Sequence, residues 1–458
     1  MRTLTSTLIA QQKAMGDVLV KIVLTSGATT KTYDNNSTTN RILNLSHPEQ
    51  EWSQTANALV DNRDGNLTAL ALEGYSAVIS YGYATSAGDE YSATSPLTVI
   101  AQKADSMQGE LVTSFSLAGL FNMWGEQEAT EAYTPDRIKT DTVKTILDAI
   151  AGATLTCFNT YPAHTITYDS GYDDSIINAF TPRDAFSIAK GESRLSAFRK
   201  ALEYTKCKAR VENDSSVATI HIFQPTITGT TYDYEYNDAI AATNHNFFNK
   251  SVRTRLVLPN KVVVMNHPDH DDSYTGNATD ADSYAALGNQ YYTKTIYCRP
   301  ASDAQCTLIA TAILQGYQLA AEKGHGYAPM NVGQEVMDYV KITDSRAGDT
   351  RIGNIGFLER HYRPGEFVFE FRFGSLLLPG LAGTMPPRTI EGTTTPDYGL
   401  SIEALRDALF SLWDYVDSLQ ANQNALINYL LEREQRAEYT HLSVTERLQI
   451  PMGANKFT

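Results

Sequence analysis

Hydrophobic positions along this chain follow two periods, and the sharper one lies near the end. From Ser401 to Arg433, Ile402, Leu405, Leu409, Leu412, Val416, Leu419, Gln423, Leu426 and Leu430 recur at alternating steps of 3 and 4 residues. That is an unbroken heptad with these residues at a and d. Neither Pro nor Gly interrupts the stretch, so a helix there runs about 50 Å at ~1.5 Å per residue. The spacing predicts a coiled coil whose seam other chains complete. At e and g stand Trp413, Tyr415, Ile427 and Tyr429 instead of the Glu and Lys usual in two-stranded coils, and so wide an apolar stripe favours three strands. Gln423 is the polar residue at an a position, where it fixes register at some cost in stability. The alternative is a long amphipathic helix lying on its own domain.

Upstream the dominant period is two. After a short helix over Ser6 to Lys13, Val18, Val20, Ile22 and Leu24 alternate as a strand does. Ala56 to Val60, Leu67 to Leu72, Tyr75 to Tyr83 and Leu97 to Ala101 are further strand candidates, punctuated by Gly74, Gly82, Gly88 and Gly109. Strands this short suggest a barrel or a sandwich. The cluster Asp61 to Asn66 reads as a hairpin turn, because Gly65 is misplaced for a calcium loop. Over 135–150 the period turns helical, with Val143, Ile146, Leu147 and Ile150 on one face and Gly152 as the stop. A second helix, Ser193 to Tyr204, buries Leu195, Phe198 and Leu202, and Val217 to Phe223 returns to strand. This region is mixed α/β.

From Tyr232 the chain is β again. Leu256 to Leu258, a Pro259-Asn260 turn and Val262 to Met265 read as a strand pair, followed by a long polar loop from Asn266 to Ser283. Ser302 to Gln305 is a capping box for a helix ending near Gly324. Val336, Val340 and Ile342 mark one strand and Ile352, Ile355, Phe357 and Leu358 the next. Phe367, Phe369, Phe371 and Phe373 line one face of a third after a Pro364-Gly365 turn, with Glu366, Glu370 and Arg372 opposite. Residues 379–400, holding Pro379, Pro386, Pro387 and Pro396, read as an extended linker. Beyond the coil, Leu442, Val444, Leu448 and Ile450 alternate as a strand that needs neighbouring chains for a sheet.

Composition narrows the function. The 458 residues suffice for two to four domains, and 42% hydrophobic content supports sizeable cores. Charged residues are only 19%, while Tyr numbers 26, a balance suited to β-rich assembly proteins. A net charge of -15 argues against a protein that grips nucleic acid by its phosphates, though not against a channel through which it slides. Cys157, Cys207, Cys298 and Cys306 form no dense framework, so reduced thiols and cytosolic synthesis are expected. The opening segment lacks a signal-peptide core and no membrane-length apolar run occurs, so neither export nor a stable membrane anchor is expected.

No nucleophile elbow, zinc-protease, phosphate-loop or dinucleotide motif is present. His267, Asp269, His270, Asp271 and Asp272 form the densest ligand cluster, but a solvated loop is the preferred reading over a metal site. Asp174, Asp184 and Glu192 are conceivable glycosidase carboxylates whose separation sequence does not give. The expectation is a non-enzymatic chain with no catalytic residues, metal or cofactor.

Ala58-Leu59-Val60-Asp61-Asn62-Arg63-Asp64-Gly65, with Leu70 to Gly74 and Val78 to Gly82, resembles the first β-barrel of baseplate and tail-tip hub proteins of tailed bacteriophages. Leu258 to Val264 and the block Gly333 to Gly374 resemble the second barrel. The resemblance covers most of residues 15–375 as pattern and domain order, and leaves the coil and tail outside the shared core. With the residue pattern it implies an α+β, β-dominant fold: a tube-like barrel over 1–130, a mixed α/β domain over 131–228 and a second barrel with a helix over 229–378, to which the periodicity adds the linker 379–400, a coiled coil over 401–436 and a strand tail over 437–458. It implies a homotrimer assembled in the host cytoplasm into the virion tail tip, adapting a sixfold tail tube to threefold tip, spike or fibre proteins. The genome then passes its central channel without specific binding. The alternatives are a trimeric tail fibre or receptor-binding protein and, third, a tail-associated cell-wall hydrolase.

Overall fold

The computed structural model describes residues 1–375 except 15, 37–39, 137, 173, 215, 240, 242, 254 and 268–271. The linker 379–400, the coil with Ile402 through Leu430, and the strand tail all lie outside the described residues.

The chain opens with α1 (Ser6–Gln11), whose N-cap Thr5 hydroxyl accepts from Leu8 N at 3.1 Å. Eight strands follow: β1 (Val18–Ser26), β2 (Thr29–Asp34), β3 (Ile42–Gln50), β4 (Ser53–Asp61), β5 (Ser76–Thr85), β6 (Gly88–Ala93), β7 (Leu97–Met107) and β8 (Glu110–Gly119). Then come α2 (Leu120–Gly125), α3 (Val143–Ala151), β9 (Ile166–Tyr168), α4 (Asp174–Ile177), α5 (Arg194–Leu202), β10 (Lys208–Asp214) and β11 (Val217–Phe223). The last part holds β12 (Tyr234–Asn237), β13 (Asn249–Arg253), β14 (Lys261–Asn266), β15 (Thr275–Thr279), α6 (Ala281–Ala286), β16 (Thr293–Cys298) and α7 (Asp303–Ala321). It closes with β17 (Lys323–Pro329), β18 (Tyr339–Asp344), β19 (Asp349–Arg363) and β20 (Glu366–Phe373).

The fold is β-dominant, as expected. Its main sheet has fourteen strands in the order β13-β17-β20-β19-β3-β4-β8-β7-β5-β1-β2, with β18 on β19, β12 on β18 and β6 on β5. The early and late β segments are therefore one sheet, joined where β3 pairs antiparallel with β19. Two small sheets, β10-β11-β9 and β15-β14-β16, complete the set. The large core joins Val20, Ile22, Ala56 and Phe115 to Tyr236, Ile342, Leu358 and Phe369. A second core gathers α2, α3 and α5 with β14, β16 and α7, so residues 257–321 pack with the α/β segment that precedes them.

Several expectations are corrected. Leu67 to Leu72 is not a strand, because the Gln102 side chain takes the place of a ladder partner: its amide donates to Leu70 O at 2.9 Å and its carbonyl accepts from Leu72 N at 3.1 Å. The Asp61 to Asn66 turn does not close a hairpin, since β4 pairs with β3 and β8 and not with the following strand. Leu256 to Leu258 is not extended into a strand, and β14 pairs instead with β15 and β16. The loop expected from Asn266 to Ser283 contains β15 and the start of α6. Gly276 of β15 lies so near α7 that a Cβ there would stand 2.3 Å from Thr307 N, a close approach that hides the strand's apolar pattern.

The Ser302 cap forms, accepting from Gln305 N at 3.2 Å, but the Gln305 side chain reaches back to Ala301 N at 2.8 Å. The helix ends at Ala321, and Gly324 belongs to β17. Val336 precedes β18. In α5, Phe198 and Leu202 are buried as expected while Leu195 is only half-buried; Arg194 occupies the buried face. All four phenylalanines of β20 are buried, from 0 to 9% exposed.

Candidate functional site

Buried polar side chains gather at the joints between segments of the chain. The main joint is the β3–β19 pair, in register from Leu45 opposite Tyr362 to Gln50 opposite Phe357. Strand alternation puts Leu358, Arg360 and Tyr362 on the core side, so Arg360 enters the core as a charge. It is 0% exposed and is held by Glu49 at 2.6 Å and by Gln334 O at 2.6 Å, with its carbon 5.6 Å from the Tyr81 ring centre. A buried guanidinium needs such partners.

Opposite Arg360 stands His47. Its Nε2 lies 2.9 Å from the Gln54 amide nitrogen and its Nδ1 3.0 Å from the Tyr81 hydroxyl. An amide nitrogen only donates, so Nε2 accepts and Nδ1–H donates to Tyr81. Burial, with the Arg360 and Arg2 charges beside it, pushes His47 well below its ordinary value and keeps it neutral. Gln54 Oε1 in turn accepts from the Ser95 hydroxyl.

A second joint is the tip of the β3–β4 hairpin. Trp52 adopts a left-handed backbone, φ 69°, which is unusual for a bulky residue. The turn drives its ring out of the main sheet's core and against Phe121 and Phe198, with centroids 5.2 and 6.2 Å away. Beside it Glu51 pairs with Lys208 at 2.7 Å and accepts from the Ser375 hydroxyl at 2.8 Å. Burial opposes ionisation of Glu51, but Lys208 and these hydrogen bonds outweigh it and hold the carboxyl below its ordinary value. The tip thus ties the main sheet to the α/β segment.

The main path of the sheet ends at β2 and β13, and its side branches end at β6 and β12. Edge strands offer unpaired backbone groups to a neighbour. Phe248 and Val252 beside or on β13 are 57% and 43% exposed.

Of the carboxylates considered for catalysis, Asp184 and Glu192 are held by different cations. Asp184 is paired with Arg299 at 3.0 Å. Glu192 binds Lys200 and Ser196, both at 2.8 Å, and caps Ala189 N. Asp174 opens α4. Of the ligand cluster, Asp269, His270 and Asp271 lie outside the described residues, while buried His267 donates its backbone N–H to Cys298 O. Cys157, Cys207, Cys298 and Cys306 are all buried. Among the described residues, imidazole and carboxylates do converge at Asp169, Glu212 and His221. The oligomerisation residues Ile402 to Leu430 lie outside the described residues.

Sequence reading missed Arg360, His47 and Arg194. The signal was present for each: a polar residue in phase with apolar ones. Arg194 lies 4.2 Å over the Trp124 ring and donates to Ile150 O and Ala151 O at 3.0 and 2.7 Å, closing the end of α3. Among the described residues no helix is long and apolar enough to cross a membrane.

A β-dominant body, with one sheet through both halves and an α/β unit between them, defines the class of fold. It is the fold of a solved tail protein, so the resemblance to tail proteins read from the sequence holds at the level of fold. The tail protein from Neisseria meningitidis aligns at a TM-score of 0.53 and 10% identity, covering 80% of this chain and 99% of that one. The prophage tail protein gp18 from Listeria monocytogenes aligns at 0.48 and 11% identity, covering 80% and 97%. The 43 kDa tail protein of a Shewanella oneidensis prophage aligns at 0.46 and 9%, covering 78% and 98%. No protein-family profile and no curated protein matches the sequence.

Proposed function

We propose that this chain is a structural hub of a phage tail tip or baseplate, acting in the virion as a homotrimer that adapts the sixfold tail tube to threefold tip or fibre proteins around the genome channel. The observation that carries the proposal is the alignment with the Neisseria tail protein over nearly all of that protein's length. The chemistry agrees with a mechanical role. Asp184 and Glu192 are engaged in ion pairs, and the buried charges Arg360 and Glu51, the latter with half-buried Lys208, join segments. The heptad from Ile402 to Leu430 supplies the trimer contact. Net charge of -15 suits a channel wall past which nucleic acid slides.

The heptad alone would also serve a fibre. Deleting the chain from a phage that encodes it tests the reading. A hub is required for assembly, so tails should be absent or incomplete. Complete tails that fail to adsorb would point to a fibre, and complete, adsorbing tails that fail to penetrate the wall would point to a hydrolase.

A further inference from the structure

The three-stranded sheet β10-β11-β9 carries a polar cluster that the hub reading does not use. His221 lies on β11, Glu212 and Asp214 on β10, and Asp169 just after β9. His221 stands opposite Arg210 on one side and Thr167 on the other. By strand parity Glu212, Asp214, Asp169 and His221 therefore share one face. The imidazole is hemmed in: Nδ1 is 2.9 Å from Asp169 Oδ1, while Nε2 is 2.7 Å from Asp214 Oδ2 and 3.7 Å from Glu212 Oε2. Donor atoms of Asp169, Glu212 and His221 all lie within 4.8 Å of one another.

The oxygens of Glu212 are divided between two tasks. Oε1 accepts from Arg210 Nε at 2.5 Å, which leaves Oε2 directed at the imidazole. Three carboxylates around one imidazole, with a single guanidinium on the far oxygen of one of them, leave negative charge in excess. The side chain of His221 is 15% exposed and that of Asp169 36%, so an ion can reach the cluster from solvent.

We propose that this cluster is a divalent transition-metal site, with His221 Nε2, Glu212 Oε2 and Asp214 as ligands and Asp169 holding the opposite ring nitrogen. One imidazole with two carboxylates suits zinc or manganese better than calcium or magnesium, which prefer oxygen alone. The Asp169 contact is the carboxylate–histidine arrangement that orients a metal-binding imidazole and raises its basicity. Zinc bonds of about 2.0–2.2 Å to nitrogen and carboxylate oxygen require the side chains to turn around the ion, with the strands staying in place. The metal would replace the Nε2 proton that the imidazolium donates to Asp214, releasing it to solvent while Nδ1–H stays on Asp169, and would pin β10 to β11 in a segment whose own sheet has only three strands.

The test is titration of the full chain with zinc near neutral pH against a chromogenic chelator, with melting temperature followed in parallel. One equivalent should bind in the micromolar range or tighter and raise the melting temperature. Glu212→Gln and His221→Gln should each weaken binding by roughly tenfold or more and abolish the thermal shift, while Asp169→Asn should weaken it less at unchanged stoichiometry. Circular dichroism identifies any variant that fails to fold. If His221→Gln does so, Glu212→Gln decides. Absence of stoichiometric binding by the parent chain, or binding by Glu212→Gln equal to the parent's, would overturn the assignment.

Discussion

Arg360 on β19 donates to Glu49 on β3 at 2.6 Å, and the two residues stand 311 positions apart in the chain. The bond closes the joint between the early and late β segments. Removing one member of a buried pair leaves the other charge uncompensated. Glu49→Gln should therefore destabilise the protein by about 3 kcal/mol, and Arg360→Met combined with Glu49→Leu should recover most of that loss. Urea unfolding of the two variants against the parent chain checks both expectations.

The Phe row of β20 gives a packing prediction. Phe369 is 0% exposed and stacks on Phe371 at 5.2 Å, so Phe369→Ala should cost about 3–5 kcal/mol. Across the ladder, a Cβ on Gly326 would sit 2.3 Å from the Phe371 ring. Gly326→Ala should cost about 1–3 kcal/mol by overpacking. Full stability in either variant would mean that the two strands do not pack as described.

How much was legible follows from these two strands. The row Phe367 to Phe373 is a bare period of two, and its strand and burial could be read directly. Its partner β17, KGHGYAP, looks like a loop, because glycine makes room for the rings of the neighbouring strand. Local composition also misled at Leu67 to Leu72, where a single side chain, Gln102, replaces a whole ladder partner. The β3–β19 pairing is invisible to any local window, since it depends on residues over 300 positions apart. His47 and Arg360 could have been flagged as polar residues on apolar faces, but their contact with each other's strands could not.

Two buried groups make stability depend on pH in opposite directions. Burial raises Glu322 to about 7, against the pull of its bond from Asn354 N and of Arg351 and Lys323. Between its unfolded value of 4.5 and about 7 the folded chain holds the extra proton, so this residue makes stability fall as pH rises through that window. Glu322→Gln should lose that slope and gain about 3 kcal/mol relative to the parent at pH ~8. His47 is depressed, so unfolding takes up a proton below its ordinary 6.5 and stability falls as pH drops from there. His47→Gln should flatten the acid side. Parent-minus-variant unfolding free energies across the pH range separate the two.

For the coil, the prediction rests on the heptad. Gln423 interrupts an otherwise apolar seam, so in the proposed trimer Gln423→Leu should stabilise the coil and loosen its register. If the coil closes the channel, particles carrying the change should assemble normally and eject their genome more slowly. Normal ejection from a measurably stabilised coil would leave it as a trimerisation clamp.

The most direct test is to locate the chain in the particle. Electron microscopy of the phage tail, with the body of residues 1–375 fitted to the density, should place three copies around the tail axis at the distal end of the tube. Copies projecting from the side of the tail, or a number other than three at the tip, would contradict the account.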